Sequence, residues 1–244
     1  MSKQLPEQLK VPWGISQALI VFGLFWLVLP LTLILLARGL SPYLPLAHSF
    51  LSGLLNGDIN AQFVEVVLDA LAGFGAIAYY LHHYKTSWRA VGWRKFNILK
   101  ALGILVLIFL AFSIGVNVLL ALISVLVPAF NANQTQANDF IGTAASSHQL
   151  IALLAVVVIP AIVEETVFRG FVFPAISGRV GLIVGAIGSS LLFGLAHLQA
   201  NISIYTFFLG LLLCFMYVKL RSIFPGMALH MLNNYLAFVA LTGK

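Results

Sequence analysis

The sequence predicts an all-α fold, a polytopic membrane helix bundle, on three observations. The chain is 61% hydrophobic with mean hydropathy +1.03, against roughly 45–50% apolar content in soluble domains. Several apolar runs exceed the roughly 18 residues that a spanning helix needs. Charged residues make up only 8% of the chain, and the basic ones collect in short loops.

Seven spans follow in order. The first, 14–37, is too long for a signal-peptide core and runs into Arg38-Gly39-Leu40 rather than a small-residue cleavage site, so it reads as a retained anchor. Segment 39–60 is too interrupted to span; an interfacial or re-entrant helix, the eighth of the bundle, is the expectation there. The second span is 61–81. The loop 82–97 carries Trp88 and Trp93 beside four basic residues and reads as an aromatic and cationic anchor at the membrane surface. The third span is 99–127, and the loop 129–147 that follows has no Lys or Arg. Spans 150–177, 181–198, 202–219 and 226–242 complete the set. Gly181, Gly185, Gly188 and Ser189 give the fifth span a close-approach face. No polar stretch is long enough to fold separately, so 1–244 reads as one integral membrane domain.

Charge placement orients the bundle. With a cytoplasmic N-terminus, ten Lys and Arg fall in inside segments and only Arg38 and Lys244 outside. The net charge of +6 therefore reports topology, and no nucleic-acid partner is implied. The implied location is the cell membrane, with the lipid bilayer as the surrounding partner. Cys214 is the single cysteine, which excludes an internal disulfide and a cysteine-rich metal site.

Three charges stand inside the fourth span: Glu164, Glu165 and Arg169. Each costs roughly 2.5–3.5 kcal/mol at mid-membrane, so they mark a functional site. Glu165 and Arg169 are i and i+4 with the acid first, the favourable order for an ion pair. Glu164 points about 100° away on the helix and is left as the unpaired carboxylate. His197 lies near the far end of the fifth span, one turn after Phe193. His230 and Asn234 share a face of the seventh. At 1.5 Å per residue, Glu164 lies roughly 20 Å from the cytoplasmic boundary and His197 roughly 24 Å, whereas Asn234 is at roughly 12 Å and His230 shallower still. One shared cavity then requires the seventh helix to tilt, to start deep or to line a cleft.

These residues spell Glu-Glu-x-x-x-Arg, Phe-x-x-x-His and His-x-x-x-Asn on successive spans, over about 148–240. In this the sequence resembles the CAAX prenyl protease and bacteriocin-processing family of intramembrane proteases, and also the type II CAAX prenyl endopeptidases of the same group. The Gly92-Trp93 pair before the third span fits that resemblance. It implies hydrolysis of a peptide bond in a membrane-associated protein or peptide. Glu164 would activate a water, with His197 orienting it. His230 and Asn234 would donate to the oxyanion, and Glu165 with Arg169 would support the site.

Family usage also implies a divalent metal such as zinc, for which Glu164, His197 and His230 could supply two imidazoles and a carboxylate. With no His-Glu-x-x-His and no fourth ligand evident, a glutamate-activated water is the favoured reading. A proton-coupled transporter is the main rival, since Glu65 and Asp69 add two acids at i,i+4 on the second span. The inverted repeats and broken helices expected of a transporter are absent from the sequence. An immunity or scaffold protein that keeps the protease fold without its chemistry is the third class. His48, His82, His83 and His148 fall at span ends and read as interfacial.

Overall fold

A computed structural model describes residues 5–127, 129–131 and 149–242. Eight helices run through them: α1 (Ile15–Leu40), α2 (Pro45–Leu55), α3 (Ile59–His83), α4 (Ile98–Leu126), α5 (Gln149–Val180), α6 (Leu182–Leu195), α7 (Ala200–Leu220) and α8 (Phe224–Thr242). The sequence marks some of the starts: the Asp58 carboxylate accepts from Asn60 and Ala61 N–H at the head of α3, and Asn97 caps α4 through Lys100 N–H. Helices α1, α3, α4, α5 and α7 are long and apolar enough to cross a membrane; α6 is apolar but shorter. The seven spans read from the sequence all fall on helices. Segment 39–60 contributes α2, whose 11 residues reach about 16 Å, half of a hydrocarbon core of about 30 Å. No residue of α2 is buried, and it turns back onto the start of α3 through Asp58 N–H to the Gly53 carbonyl.

Helix α5 is the centre of the bundle. In its most apolar stretch 44% of residues are buried, against 11% in α1 and in α4, which therefore present most of their surface to lipid. Three stretches widen from α to π geometry: Leu24–Val28 in α1, and Leu154–Val158 and Glu165–Val172 in α5. Each ends two residues before a proline, at Pro30, Pro160 and Pro174. A proline has no N–H for the carbonyl four residues back, and its ring crowds that carbonyl. A wider turn relieves the crowding.

One end of the bundle is basic. Of the eleven described Lys and Arg, nine (Lys10, Lys85, Arg89, Arg94, Lys95, Lys100, Arg179, Lys219 and Arg221) lie at the end holding the N-terminal segment and the α3–α4, α5–α6 and α7–α8 turns; Arg38 lies at the other end and Arg169 between. The basic end is also tightly filled. Trp13 is fully buried, stacks on Phe171 at 4.4 Å and donates its indole N–H to the Phe171 carbonyl. Gln8 donates to the Val218 carbonyl, and the Tyr217 hydroxyl donates to the Gln8 carbonyl.

The loop 84–97 departs from its expected role as a surface anchor. Trp93 packs against Phe74, Trp88 and Phe224 and donates its indole N–H to the Thr166 hydroxyl at 3.3 Å. Val91 is fully buried, and a Cβ on Gly170 would stand 2.5 Å from its carbonyl oxygen, so only glycine admits the loop this close to α5. Ile223 N–H to the Gly92 carbonyl and the Ser222 hydroxyl to the Arg94 carbonyl tie the start of α8 to the same loop. The loop is a plug beneath α5.

Candidate active site

The π-widened stretch Glu165–Val172 is buried at every position. Its carbonyls are partly taken by side chains: Ser189 of α6 donates to Phe168 and Trp13 to Phe171. Glu165 and Arg169 are each 1% exposed, with Arg169 Nη1 2.9 Å from Glu165 Oε1. The guanidinium N–H groups are not aligned on that oxygen, so this contact is one of charge rather than a directed hydrogen bond. The guanidinium lies instead over the ring of Phe193, 4.2 Å from its centroid, where the negative ring face favours a cation.

Glu165 has a second partner that the sequence did not indicate. His230 Nδ1 of α8 stands 3.3 Å from Glu165 Oε1 and donates to it. Its Nε2 stands 3.8 Å from Glu164 Oε2, too far for a direct hydrogen bond. His230 thus spans the two glutamates, and Glu165 serves both Arg169 and His230. Adjacent carboxylates differ sharply in surroundings: the Glu164 side chain is 20% exposed and that of Glu165 1%. A Cβ on Gly226 would sit 3.1 Å from Glu165 Oε2, so the first turn of α8 lies level with this carboxylate. The shallow position counted for His230 is corrected accordingly: α8 starts deep, because the plug loop carries its first residues into the bundle.

Phe193 is the hub of the arrangement. Its ring touches Arg169 on one face, and its edges meet His197 at 5.0 Å, His230 at 5.7 Å and Phe168 at 5.0 Å. His197 Nδ1 lies 2.9 Å from the Phe193 carbonyl. A carbonyl only accepts, so Nδ1 carries the proton and Nε2 keeps its lone pair in the neutral ring. His197 is within electrostatic reach of Glu164, His230 and Arg169.

Asn234 is partly committed elsewhere. Its amide donates at 3.1 Å to the carbonyl of Val156, which Pro160, four residues on, has no N–H to serve. One amide N–H remains. Asn233 bridges to Asn234 Oδ1 and accepts from the Tyr205 hydroxyl, so the Asn234 amide is oriented from α7 through its neighbour. Neither Tyr205 nor Asn233 stood out in the sequence; the doubled asparagine was the available signal. Glu65 and Asp69 make no described contact with these residues. One Asp69 oxygen is buried without a hydrogen-bond partner among the described residues. His48, His82 and His83 are exposed, while His148 and most of the loop 129–147 lie outside the described residues.

Among the described residues, no three His, Cys, Asp or Glu side chains are gathered so as to hold a metal ion. With His197 Nδ1 on a backbone carbonyl and His230 Nδ1 on Glu165, Nε2 is the nitrogen that each imidazole, beside the Glu164 carboxylate, would turn to such an ion. What the residues offer is a partly exposed carboxylate facing an imidazole, backed by a sealed charge pair.

Residues 146–236 match the family model described as Type II CAAX prenyl endopeptidase Rce1-like, a stretch that contains all three motifs. This family of CAAX-type intramembrane proteases is the one that the motifs resemble. Comparison with curated proteins and with solved structures gave no match.

Proposed function

We propose that this integral membrane chain, whose residues 146–236 match the CAAX-type protease family, is an intramembrane endopeptidase that hydrolyses a peptide bond with a glutamate-activated water. The observation that carries this reading is the pairing of a partly exposed Glu164 with His230 Nε2 at 3.8 Å, over a buried Glu165–Arg169 pair. A water held by Glu164 gives up a proton to the carboxylate while its oxygen attacks the carbonyl carbon. His197 Nε2, carrying a lone pair, accepts from the second O–H of that water and fixes its direction. The tetrahedral oxyanion is met by the remaining Asn234 N–H; His230, whose Nδ1 proton is given to Glu165, joins it only as the imidazolium. Collapse breaks the C–N bond, and the proton held by Glu164 passes to the departing amine. The substrate is a membrane-associated protein or peptide.

Glu164→Gln tests this. It should insert and fold, and cleavage of a peptide library in proteoliposomes should fall by about 10²–10⁴-fold, the usual worth of a positioned general base. Wild-type turnover in that variant would remove Glu164 from the mechanism.

A further inference from the structure

A side-chain amide has a donor end and an acceptor end of nearly the same shape, so its use depends on which way round it is held. For Asn234 the answer starts at a backbone atom. Pro160 has no N–H for the carbonyl of Val156, and that carbonyl can only accept. Asn234 therefore turns its Nδ2 to Val156, at 3.1 Å, and its Oδ1 the other way. There Oδ1 accepts from Nδ2 of Asn233 at 3.4 Å. With its nitrogen so used, Asn233 presents its own oxygen to Tyr205 of α7, whose hydroxyl donates to it. Each link fixes the polarity of the next, and the hydroxyl is the last donor in the row.

Tyr205 is held in turn. Phe112 of α4 meets its ring at 5.3 Å in a T-shaped pair, and both rings pack on the buried cluster of Leu209, Leu213, Met216 and Leu229. Helix α7 carries none of the three motifs, and Phe112 lies outside the stretch 146–236 that the family model matches. What is at stake is the free N–H of Asn234. In the proposed hydrolysis it is the donor that needs no change of charge to meet the oxyanion. Half a turn of that amide would put oxygen where nitrogen stands and repel the negative charge.

We propose that Tyr205 is a positioning residue of the site, acting through Asn233 to hold the Asn234 amide with its free N–H toward the oxyanion. It touches neither the attacking water nor the scissile bond. Removing its hydroxyl leaves Asn233 Oδ1 without that donor and frees the Asn233 amide to turn over. The Val156 carbonyl alone then holds Asn234, and the fraction of molecules with the N–H in place falls. The effect on turnover rests on the endopeptidase reading; the orientation of the amide does not.

The test uses the full chain in proteoliposomes and a library peptide that wild type cleaves and Glu164→Gln does not. Tyr205→Phe should lower kcat about tenfold with KM unchanged, less than the roughly 10²-fold loss expected when Asn234→Ala removes the donor itself. In the Asn234→Ala background, Tyr205→Phe should change kcat by less than about twofold, because no amide is left to position. A merely structural role would keep its full effect there. Asn233→Leu, of similar shape without the amide, should repeat the pattern, and it keeps the test valid if Tyr205→Phe fails to insert. Unchanged kcat in an inserted variant of either kind, or a tenfold loss that persists on Asn234→Ala, overturns the proposal. Orientation is read separately by NMR on protein carrying isotope-labelled asparagine in nanodiscs, where the Asn234 side-chain signals are those lost in Asn234→Ala. They should shift in Tyr205→Phe, and signals left in place overturn the proposal. If wild type cleaves no peptide, the endopeptidase reading falls, and these signals still decide whether Tyr205 sets the amide.

Discussion

Glu164 and Glu165 are neighbours in sequence with opposite surroundings. The i,i+4 spacing of Glu165 and Arg169 was enough to read their pairing from the sequence, because that spacing fixes proximity within one helix. The approach of His230 to both glutamates was not legible, since it depends on how deep α8 begins, and depth is set by a loop more than 130 residues away in the chain. Glu165→Gln should now cost more than a single ion pair: it leaves a buried guanidinium without its counter-charge and a buried imidazole facing only a neutral amide. A loss of about 3–5 kcal/mol is expected, read as a lower Tm in detergent. An unchanged Tm with abolished cleavage would instead put Glu165 in the chemistry.

At the level of the helix, the spans were legible because a hydrocarbon core demands long apolar runs, and hydropathy records that demand directly. Which way a tryptophan faces is not recorded. Trp88 and Trp93 beside basic residues look alike whether their rings face headgroups or the bundle interior, and here Trp93 reaches Thr166. The link between Pro160, Val156 and Asn234 also needed three dimensions. It can be tested as a double-mutant cycle. Asn234→Ala should cost about 1 kcal/mol by removing the donor to the Val156 carbonyl. Pro160→Ala supplies a backbone N–H to that same carbonyl, so in its background the Asn234→Ala penalty should shrink. Additive effects in thermal unfolding would show that the Val156 bond is not what Asn234 contributes.

Across the whole molecule, the N-terminal segment and the loop 84–97 close the basic end of the bundle. Trp13 is the largest fully buried side chain in that closure, stacked and hydrogen-bonded to Phe171. Trp13→Ala should lower stability by about 3–5 kcal/mol and expose residues 5–12 to added protease; an unaltered Tm would mean that the segment is dispensable to the packing. None of this closure was legible in composition, because residues 1–13 carry no apolar run.

The widened turns of α5 have a consequence for how such a helix tolerates change in length. Each takes up one residue more than an α turn, and one residue is about 100° of helical phase. A chain lacking a single residue from Thr166–Val172 would be as greasy as before and would enter the bilayer as readily. Everything from Pro174 onward would nevertheless face the wrong neighbour, with Trp13 and Ser189 meeting other backbone atoms. Frame along this helix is set by counting, so insertions and deletions here should be far less forgiving than substitutions of one apolar side chain for another.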